Sequence, residues 1–196
     1  MGEKKSLREM TLEELWELFP IVLTEHKSEW KNYYAEEESY LKSRLCESRT
    51  VRVSHIGSTA ADGIWAKPII DILVEISRDA DICAVAAEIE KCGYLCMSRE
   101  KNRISFNKGY TENGFAEKVY HLHLRFEGDN DELYFRDYLN GNKAVAAEYE
   151  KLKLSLWKMF EHDRDGYTKA KTDFIKKYTE EARKEYGNRY GQKAKV

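Results

Sequence analysis

Residues 55–71 of this chain read HIGSTAADGIWAKPIID and connect two stretches that predict β-strands. The residues before Gly57 alternate between apolar and polar side chains, and residues 69–76 form a second, more apolar strand. Gly57 and Ser58 open a turn whose free backbone N–H groups can bind a phosphate, because glycine permits close approach. Asp71 then places a carboxylate within an apolar strand, where it is costly without a partner. This segment is therefore the first candidate for a functional site.

The 196 residues are 42% hydrophobic and 35% charged, with a formal net charge of -2. Such a composition predicts one globular domain over residues 1–196, with a helical extension at residues 1–20 and a frayed tail at residues 187–196. The balanced charge gives no strong nucleic-acid signal, and no apolar run reaches the roughly 20 residues that span a membrane. The N-terminus has no signal-like apolar stretch and the four cysteines are interpreted as reduced thiols, so we expect a cytoplasmic protein.

The order of the predicted elements indicates an α+β fold. Strands are predicted at residues 21–23, 51–56, 69–76, 94–98, 103–107 and 119–126, with a loop at residues 108–118. Helices are predicted at residues 11–18, 27–46, 80–92, 131–140, 144–160 and 166–186. Because the strands are grouped and the helices lie mainly at the two ends, we expect a sheet with helices packed on one face and a C-terminal helical segment.

Two of the predicted strands are apolar on one side and polar on the other. Their polar sides carry Asp71, Glu75, His121, His123 and Arg125. A face turned toward water is the ordinary interpretation of such alternation. Two histidines in alternation, next to a carboxylate in an apolar strand, instead favour a functional site on this face.

The spacing from Gly57 to Asp71 resembles the pattern of the nucleotidyltransferase superfamily. There, an apolar residue and a Gly-Ser pair precede, by a similar spacer, a strand that carries two carboxylates; the loop holds a triphosphate and the carboxylates hold divalent metal. In this chain Leu73 replaces the second carboxylate, and Glu75 lies about 7 Å further along the strand. Leu73 therefore argues against two-metal nucleotidyl transfer.

Over residues 21–183 the chain is identified as a member of the GrpB-like family. The resemblance is carried by HIGSTA (55–60), AKPIIDI (66–72), HLHL (121–124), FRDYL (135–139), YEKLK (149–153) and YTKAK (167–171). Asp62 stands where the family usually has proline, which loosens the loop without removing a chemical group. The resemblance implies an α+β, nucleotidyltransferase-like mixed sheet, and it implies no established reaction.

Candidate roles follow from the polar face and the resemblance together. We predict Asp71 and His123 as catalytic residues, and Asp71, His121 and His123 as ligands of a divalent metal, either magnesium, manganese or zinc. Contacts to a ligand or its phosphate are predicted for Gly57, Ser58, Lys67, Arg125 and Lys171. Two pairs share a helix face and either close over the sheet or form ordinary core: Tyr149 with Lys153, and Tyr167 with Lys171. His55 either orders the loop or belongs to the site.

Three functions stay open at this point. The first is binding of a nucleotide or phosphorylated small molecule, with phosphoryl or nucleotidyl transfer at an atypical metal site. The second is a ligand-sensing or interaction module without catalysis, which Leu73 favours. The third is a metal-dependent hydrolase that uses His121, His123 and Asp71.

Overall fold

A computed structural model describes residues 5–7 and 9–191 of the chain. The helices are α1 Leu12–Leu18, α2 Glu29–Arg44, α3 Ile82–Lys91, α4 Asp131–Gly141, α5 Lys143–Trp157, α6 Arg164–Ala170 and α7 Thr172–Tyr186. The strands are β1 Thr50–Ile56, β2 Ile70–Ile76, β3 Leu95–Arg99, β4 Arg103–Thr111 and β5 Gly114–Phe126, and a 3₁₀ turn covers Ser58–Ala60. None of the helices in the described ranges has the length and apolarity needed to cross a bilayer.

The five strands form one mixed sheet in the order β1-β2-β5-β4-β3. β2 pairs antiparallel with β1 and parallel with β5, whereas the other two pairings are antiparallel. The parallel register sets Asp71 beside His121 and Leu73 beside His123. The predicted α+β class with a mixed sheet is confirmed, and the polar residues of β2 and β5 do share one face.

One face of the sheet packs against α2 and α3, and we call it the first face. Its core is apolar and buried, and it includes Trp30, Leu41, Ile72, Val85, Ile89, Phe106, Leu122 and Leu124. α3 begins where the Asp81 side chain accepts a hydrogen bond from the Cys83 N–H, which satisfies one of the unpaired donors at a helix start. Burial of this face supplies the main apolar stabilisation, at about 1.5–3 kcal/mol for each large side chain.

The opposite, second face is covered by the C-terminal helices. Leu73 packs there with Ile56 and with Leu133 of α4. The loop after β1 adds Ala61 and Ile64 to a separate apolar cluster under α4 and α5. The helices that the sequence predicted on one face of the sheet are α2 and α3. The predicted C-terminal helical segment forms a second layer on the opposite face, because Leu73 and the apolar residues of the loop after β1 must be buried there.

Several predicted boundaries were wrong. The residues predicted as a strand at 21–23 form none, and only an isolated bridge joins Thr24 to Ala66. The predicted loop at 108–118 is a hairpin, because β4 and β5 extend to a tight turn between Thr111 and Gly114. The predicted helix 166–186 is interrupted at Lys171, which separates α6 from α7.

The predicted frayed tail makes specific contacts over its first residues. The Tyr134 hydroxyl donates to the Gly187 carbonyl at 3.0 Å and accepts from the Tyr190 N–H at 3.2 Å. Tyr190 also donates its hydroxyl proton to Asp137. Residues 187–190 are thus held on α4, and the remainder of the predicted tail, from residue 192, lies outside the described residues.

Candidate functional site

A cavity of about 620 Å³ lies between the second face of the sheet and the C-terminal helices. Its floor comes from β2, β4, β5 and the loop after β1, and its walls and roof come from α1 and from α4, α5, α6 and α7. Of the eight predicted site residues, seven line this cavity: Gly57, Ser58, Lys67, Asp71, His121, His123 and Lys171. The volume falls within the range of roughly 300–1,000 Å³ that is usual for small-molecule sites.

The loop between β1 and β2 depends on the absence of a side chain at Gly57. Gly57 has a φ of 71°, and a Cβ at this position would overlap the Asp71 carboxylate. The antiparallel register pairs Ile56 with Asp71, which brings the loop backbone directly against the acid. Gly57 is therefore required by its close packing against Asp71, whether or not the loop also contacts a ligand.

His55 orders the loop and does not line the cavity. Its ring stacks on Tyr34 at 4.7 Å, and its Nε2 lies 3.0 Å from the hydroxyl of Thr59, which itself donates to the Ile69 carbonyl. Because the Thr59 proton is used in this way, the hydroxyl accepts from His55 Nε2–H. Burial lowers the pKa of His55 to about 4, so the ring is neutral at pH 7. These contacts favour the alternative in which His55 orders the loop after β1.

Asp71 lies at the end of a chain of four polar side chains. His121 Nδ1 lies 3.3 Å from an Asp71 oxygen, and His121 Nε2 lies 2.7 Å from the Tyr110 hydroxyl. Arg164 donates to that hydroxyl at 2.8 Å, so the tyrosine proton points to Nε2 and the histidine proton on Nδ1 points to Asp71. Burial opposes ionisation of Asp71, but the hydrogen bond with His121 and nearby positive charges together lower its pKa below the usual value.

Tyr110 and Arg164 were not among the predicted site residues. Tyr110 reaches the second face because a β-bulge lies between Lys108 and Tyr110, and the extra residue reverses the alternation. Gly109 has a φ of 90°, and a Cβ there would overlap the Lys118 carbonyl oxygen. A glycine within an otherwise strand-like stretch was the available sequence signal for this bulge.

His123 lies on the floor of the cavity, one alternation along β5 from His121. Burial lowers its pKa to about 4, and the Asp71 charge opposes that shift only in part. His123 is thus a neutral imidazole at pH 7, with a ring that a ligand in the cavity can contact.

The described residues show no preformed set of ligands for the predicted divalent metal, which stays a prediction. No group of three or more His, Cys, Asp and Glu side chains with metal-binding geometry occurs among the described residues. Both ring nitrogens of His121 already have partners, and the position of the second carboxylate is taken by Leu73, which is fully buried. Asp71, His121 and His123 share a face as predicted, but they do not form a preorganised metal site.

Two lysines carry unpaired positive charge in the cavity. The Nζ of Lys171 lies 4.0 Å from the centroid of the Tyr167 ring, and the Nζ of Lys67 lies 5.5 Å from the same centroid. Neither makes an ion pair with a carboxylate of the described residues. Burial lowers the pKa of Lys67 to about 8 and that of Lys171 to about 7, and the repulsion between the two ammonium groups adds to the shift of Lys171.

Lys153 adds a third ammonium group in the roof. Its Nζ donates to the Trp65 carbonyl and lies 4.9 Å from the Tyr149 ring centroid. Burial lowers its pKa to about 7. The two helix faces that the sequence left open between cavity and core, Tyr149 with Lys153 and Tyr167 with Lys171, therefore both close over the sheet and line the cavity.

Arg125 lies on the predicted face of the sheet but does not make the ligand contact that the sequence predicted. It lies outside the cavity lining and forms ion pairs with Asp129 at 3.3 Å and with Glu132 at 2.8 Å. Glu75 is also away from the cavity, because it is fully buried and accepts hydrogen bonds from the Asn130 side chain and the Gly128 N–H. Both were predicted from strand alternation, which gives the face of a residue but not its partners.

Arg136 lines the cavity and is positioned by three contacts, one of which is to the hydroxyl of Tyr190 at 3.0 Å. It pairs with Asp137, its neighbour in α4, at 2.7 Å and donates to the His55 carbonyl at 2.8 Å. Because this charge is neutralised locally, the cations of the cavity lining that lack an ion-pair partner among the described residues are Lys67, Lys153, Arg164 and Lys171.

Comparison with known proteins identifies the family. The model of the family described as GrpB protein matches residues 20–181, and the chain belongs to this family. Glutamate-rich protein GrpB of Alkalihalophilus pseudofirmus is 35% identical over 161 residues, which are 79% of this chain and 91% of the relative. A UPF0157 protein of Halalkalibacterium halodurans is 29% identical over 166 residues, which are 80% of this chain and 82% of the relative.

A solved structure of a protein named GrpB has the same fold. The crystal structure of the conserved protein GrpB from Enterococcus faecalis is 33% identical, with a TM-score of 0.71, and the match covers 84% of this chain and 99% of that chain. The Cid1 poly(U) polymerase matches at 12% identity and a TM-score of 0.48, covering 66% of this chain and 42% of that chain, and a similarity this low supports no argument. The α+β fold with a mixed sheet that the sequence predicted is thus confirmed, without any reaction attached to it.

Proposed function

We propose that this chain, as a member of the GrpB family, binds a small phosphorylated ligand, such as a nucleotide, in the cavity on the second face of the sheet. The observation that carries the proposal is the pair of ammonium groups of Lys67 and Lys171. They lie against one aromatic ring, without a carboxylate partner among the described residues, next to the Gly57-Ser58 turn. Two desolvated like charges are costly, and an anion between them offsets that cost.

The surrounding groups suit a ligand that is larger than phosphate alone. Phe135, Tyr149 and Tyr167 provide aromatic surface in the same cavity. The Tyr167 hydroxyl is buried and lacks a hydrogen-bond partner within the described part of the chain. Apolar walls with a few convergent polar groups are typical of a site that binds an organic phosphate.

The orientation of the ligand follows from where the charges lie. Its phosphate belongs at Lys67 and Lys171, and its remaining part belongs along the floor near His123. The chain from Arg164 to Asp71 holds the carboxylate in place, since each member uses its polar atoms on the next. In this proposal Asp71 is a fixed acceptor beside the ligand, and no divalent metal is required for binding.

Isothermal titration calorimetry with ATP, GTP, CTP and pyrophosphate, each in magnesium and in EDTA, tests the proposal. We expect at least one of them to bind in EDTA, with an affinity that falls at least tenfold in the Lys67→Met variant. Lys169→Met is the matched control, because Lys169 is exposed on α6 and lies outside the cavity lining. If none of the four binds, the proposal is wrong; if only pyrophosphate binds, its nucleotide part is wrong.

A second candidate function is binding without catalysis, and Leu73 favours it. Leu73 is fully buried against Ile56 and Leu133, where a second metal-binding carboxylate would have to lie. The discriminating measurement is turnover of the bound nucleotide, followed by chromatography. Tight binding with no product, unchanged in Asp71→Asn, supports the binding module. Product formation that Asp71→Asn abolishes supports phosphoryl or nucleotidyl transfer instead.

A further inference from the structure

The side chain of Lys171 is held in one place by its position in the fold. Lys171 lies at the junction of α6 and α7, and its Nζ packs on the ring of Tyr167, four residues earlier, at 4.0 Å. Residues at this spacing are neighbours on a helix surface, and a cation over an aromatic face is attracted by the ring. The amine is thus directed into the cavity at a fixed point of its wall.

The surroundings of Lys171 favour its neutral, nucleophilic form. Burial and the positive charges of Lys67 and Lys153 lower its pKa to about 7, and only Asp71 opposes them. At pH 7 an exposed lysine carries a free lone pair in roughly one molecule in a few thousand. For Lys171 the free amine is a major species at that pH, and a second cationic group beside a desolvated lysine is a recognised way to activate an amine.

The two neighbouring lysines are less available for reaction, although the pKa of Lys153 is also about 7. The Nζ of Lys153 is occupied by the Trp65 carbonyl, and its residue is only 2% exposed. Lys67 has a pKa of about 8 and is therefore mainly charged at pH 7. Lys67 is therefore the lysine that holds an anion, and Lys171 is the lysine with the reactive lone pair.

We propose that Lys171 forms an imine with a phosphate ester that carries an aldehyde or ketone, while Lys67 holds its phosphate. The lone pair of Nζ attacks the carbonyl carbon, and the C=O π electrons move to oxygen. Transfer of a proton from nitrogen to oxygen gives the carbinolamine, and loss of one water molecule leaves a C=N bond to Lys171. The net change consumes one amine and one carbonyl and releases one water, with no oxidant or reductant. The proposal rests on the phosphate-binding function above and adds the chemical class of the ligand.

Pyridoxal 5′-phosphate is the probe for this proposal, because it joins an aldehyde to a phosphate. The full chain is incubated with it at pH 7, reduced with borohydride and mapped by mass spectrometry. We expect one dominant site at Lys171, modified at least tenfold faster than the exposed Lys169. Added pyrophosphate should slow the reaction at Lys171 and leave Lys169 unaffected.

Two variants separate the imine from the phosphate contact. Lys171→Arg keeps a positive charge at this position but cannot form the imine, so we expect it to lose the labelled peptide. Lys67→Met should slow labelling by pyridoxal 5′-phosphate at least tenfold more than labelling by pyridoxal, because loss of the Lys67 charge raises the pKa of Lys171 for both reagents and loss of the phosphate contact affects only the first. Lys169→Arg should match the wild type in every assay.

The outcomes distinguish this inference from the proposed function. Modification of Lys171 no faster than that of Lys169, or a dominant site at another lysine, overturns the imine and leaves phosphate binding standing if calorimetry still detects it. Because the mapping is done on the unaltered chain, its result does not depend on whether a variant folds. Absence of both labelling and pyrophosphate binding overturns the two proposals together.

Discussion

Lys108 and Lys171 lie on opposite faces of the same sheet and differ in what surrounds their ammonium groups. Lys108, on the first face, pairs with Glu37 at 2.8 Å and lies near the rings of Tyr40, Tyr94 and Tyr120. Lys171, on the second face, has an aromatic ring beneath it and no ion-pair partner in the described ranges. A buried charge with a complete set of partners belongs to the structure, whereas one that lacks a counter-charge beside a cavity indicates a missing ligand.

The largest expected effect is the difference in stability between the variants Lys108→Met and Lys171→Met. Lys108→Met leaves the Glu37 carboxylate buried with the Tyr94 hydroxyl as its hydrogen-bond donor, and we expect a loss of about 3 kcal/mol in the free energy of unfolding. Lys171→Met removes an uncompensated charge, so its stability should be unchanged or higher by up to about 1 kcal/mol. Urea denaturation followed by tryptophan fluorescence measures both. Equal losses in the two variants would remove the distinction between the faces.

A smaller effect is expected from the loop that brings the second face together. Gly57→Ala introduces a methyl group against the Asp71 carboxylate at a positive φ, and we expect a loss of about 2–3 kcal/mol. Gly63 is the matched control, because its φ is 79° but no atom lies within 4 Å of the position of a Cβ. Gly63→Ala should cost about 1 kcal/mol, from backbone strain alone. Similar costs in thermal or urea unfolding would show that the approach of Gly57 to Asp71 is not important.

The smallest expected effect is a dependence on pH that has opposite signs for folding and for binding. Lys67 and Lys171 have pKa values of about 8 and 7 in the folded protein and ordinary, higher values in the unfolded chain. Between pH 7 and 9 the unfolded state therefore binds more protons, and stability rises with pH. After allowance for solvent screening we expect a gain of roughly 1 kcal/mol, while affinity for a phosphate ligand falls because the lysines lose charge.

The groups that face these two lysines set the control for the pH experiment. Arg164 and Lys153 repel them, and Asp71 attracts them. All three stay in place when both lysines are replaced by methionine, so the double variant should have a flatter stability profile from pH 7 to 9. A profile as steep as that of the wild type would assign the effect to other groups.

Much of the floor of the site could be predicted from sequence. The β1-loop-β2 segment, the shared face of Asp71 and His121, and the α+β class all follow from short-range alternation and spacing, which are properties of a strand itself. The position of Arg125 on that face was also correct. The sequence did not show that its charge is unavailable to a ligand, because Asp129 and Glu132 neutralise Arg125 only after the chain turns into α4.

The roof of the site could be proposed but not decided from sequence. The pairs of tyrosine and lysine on α5 and α6 have the same spacing whether they form core or line a cavity. Tyr110 shows the same limit on a smaller scale, since the bulge at Gly109 reverses its face and brings its hydroxyl to His121. The periodicity of the sequence predicts which residues share a face of a helix or strand. Contacts between distant segments determine what that face packs against.

The sequence by itself therefore determined most of the elements, the class of fold, the family resemblance and the spacing from Gly57 to Asp71, because each depends on neighbours along the chain or across one strand pair. Only the tertiary structure decided that the second face is enclosed, that both ring nitrogens of His121 have partners, and that Lys67 and Lys171 meet around Tyr167. The physical reason is that charge and burial are set by every segment that packs on a residue. Those segments come here from positions between Leu12 and Thr179, and the balance of partners among them appears only once they are packed.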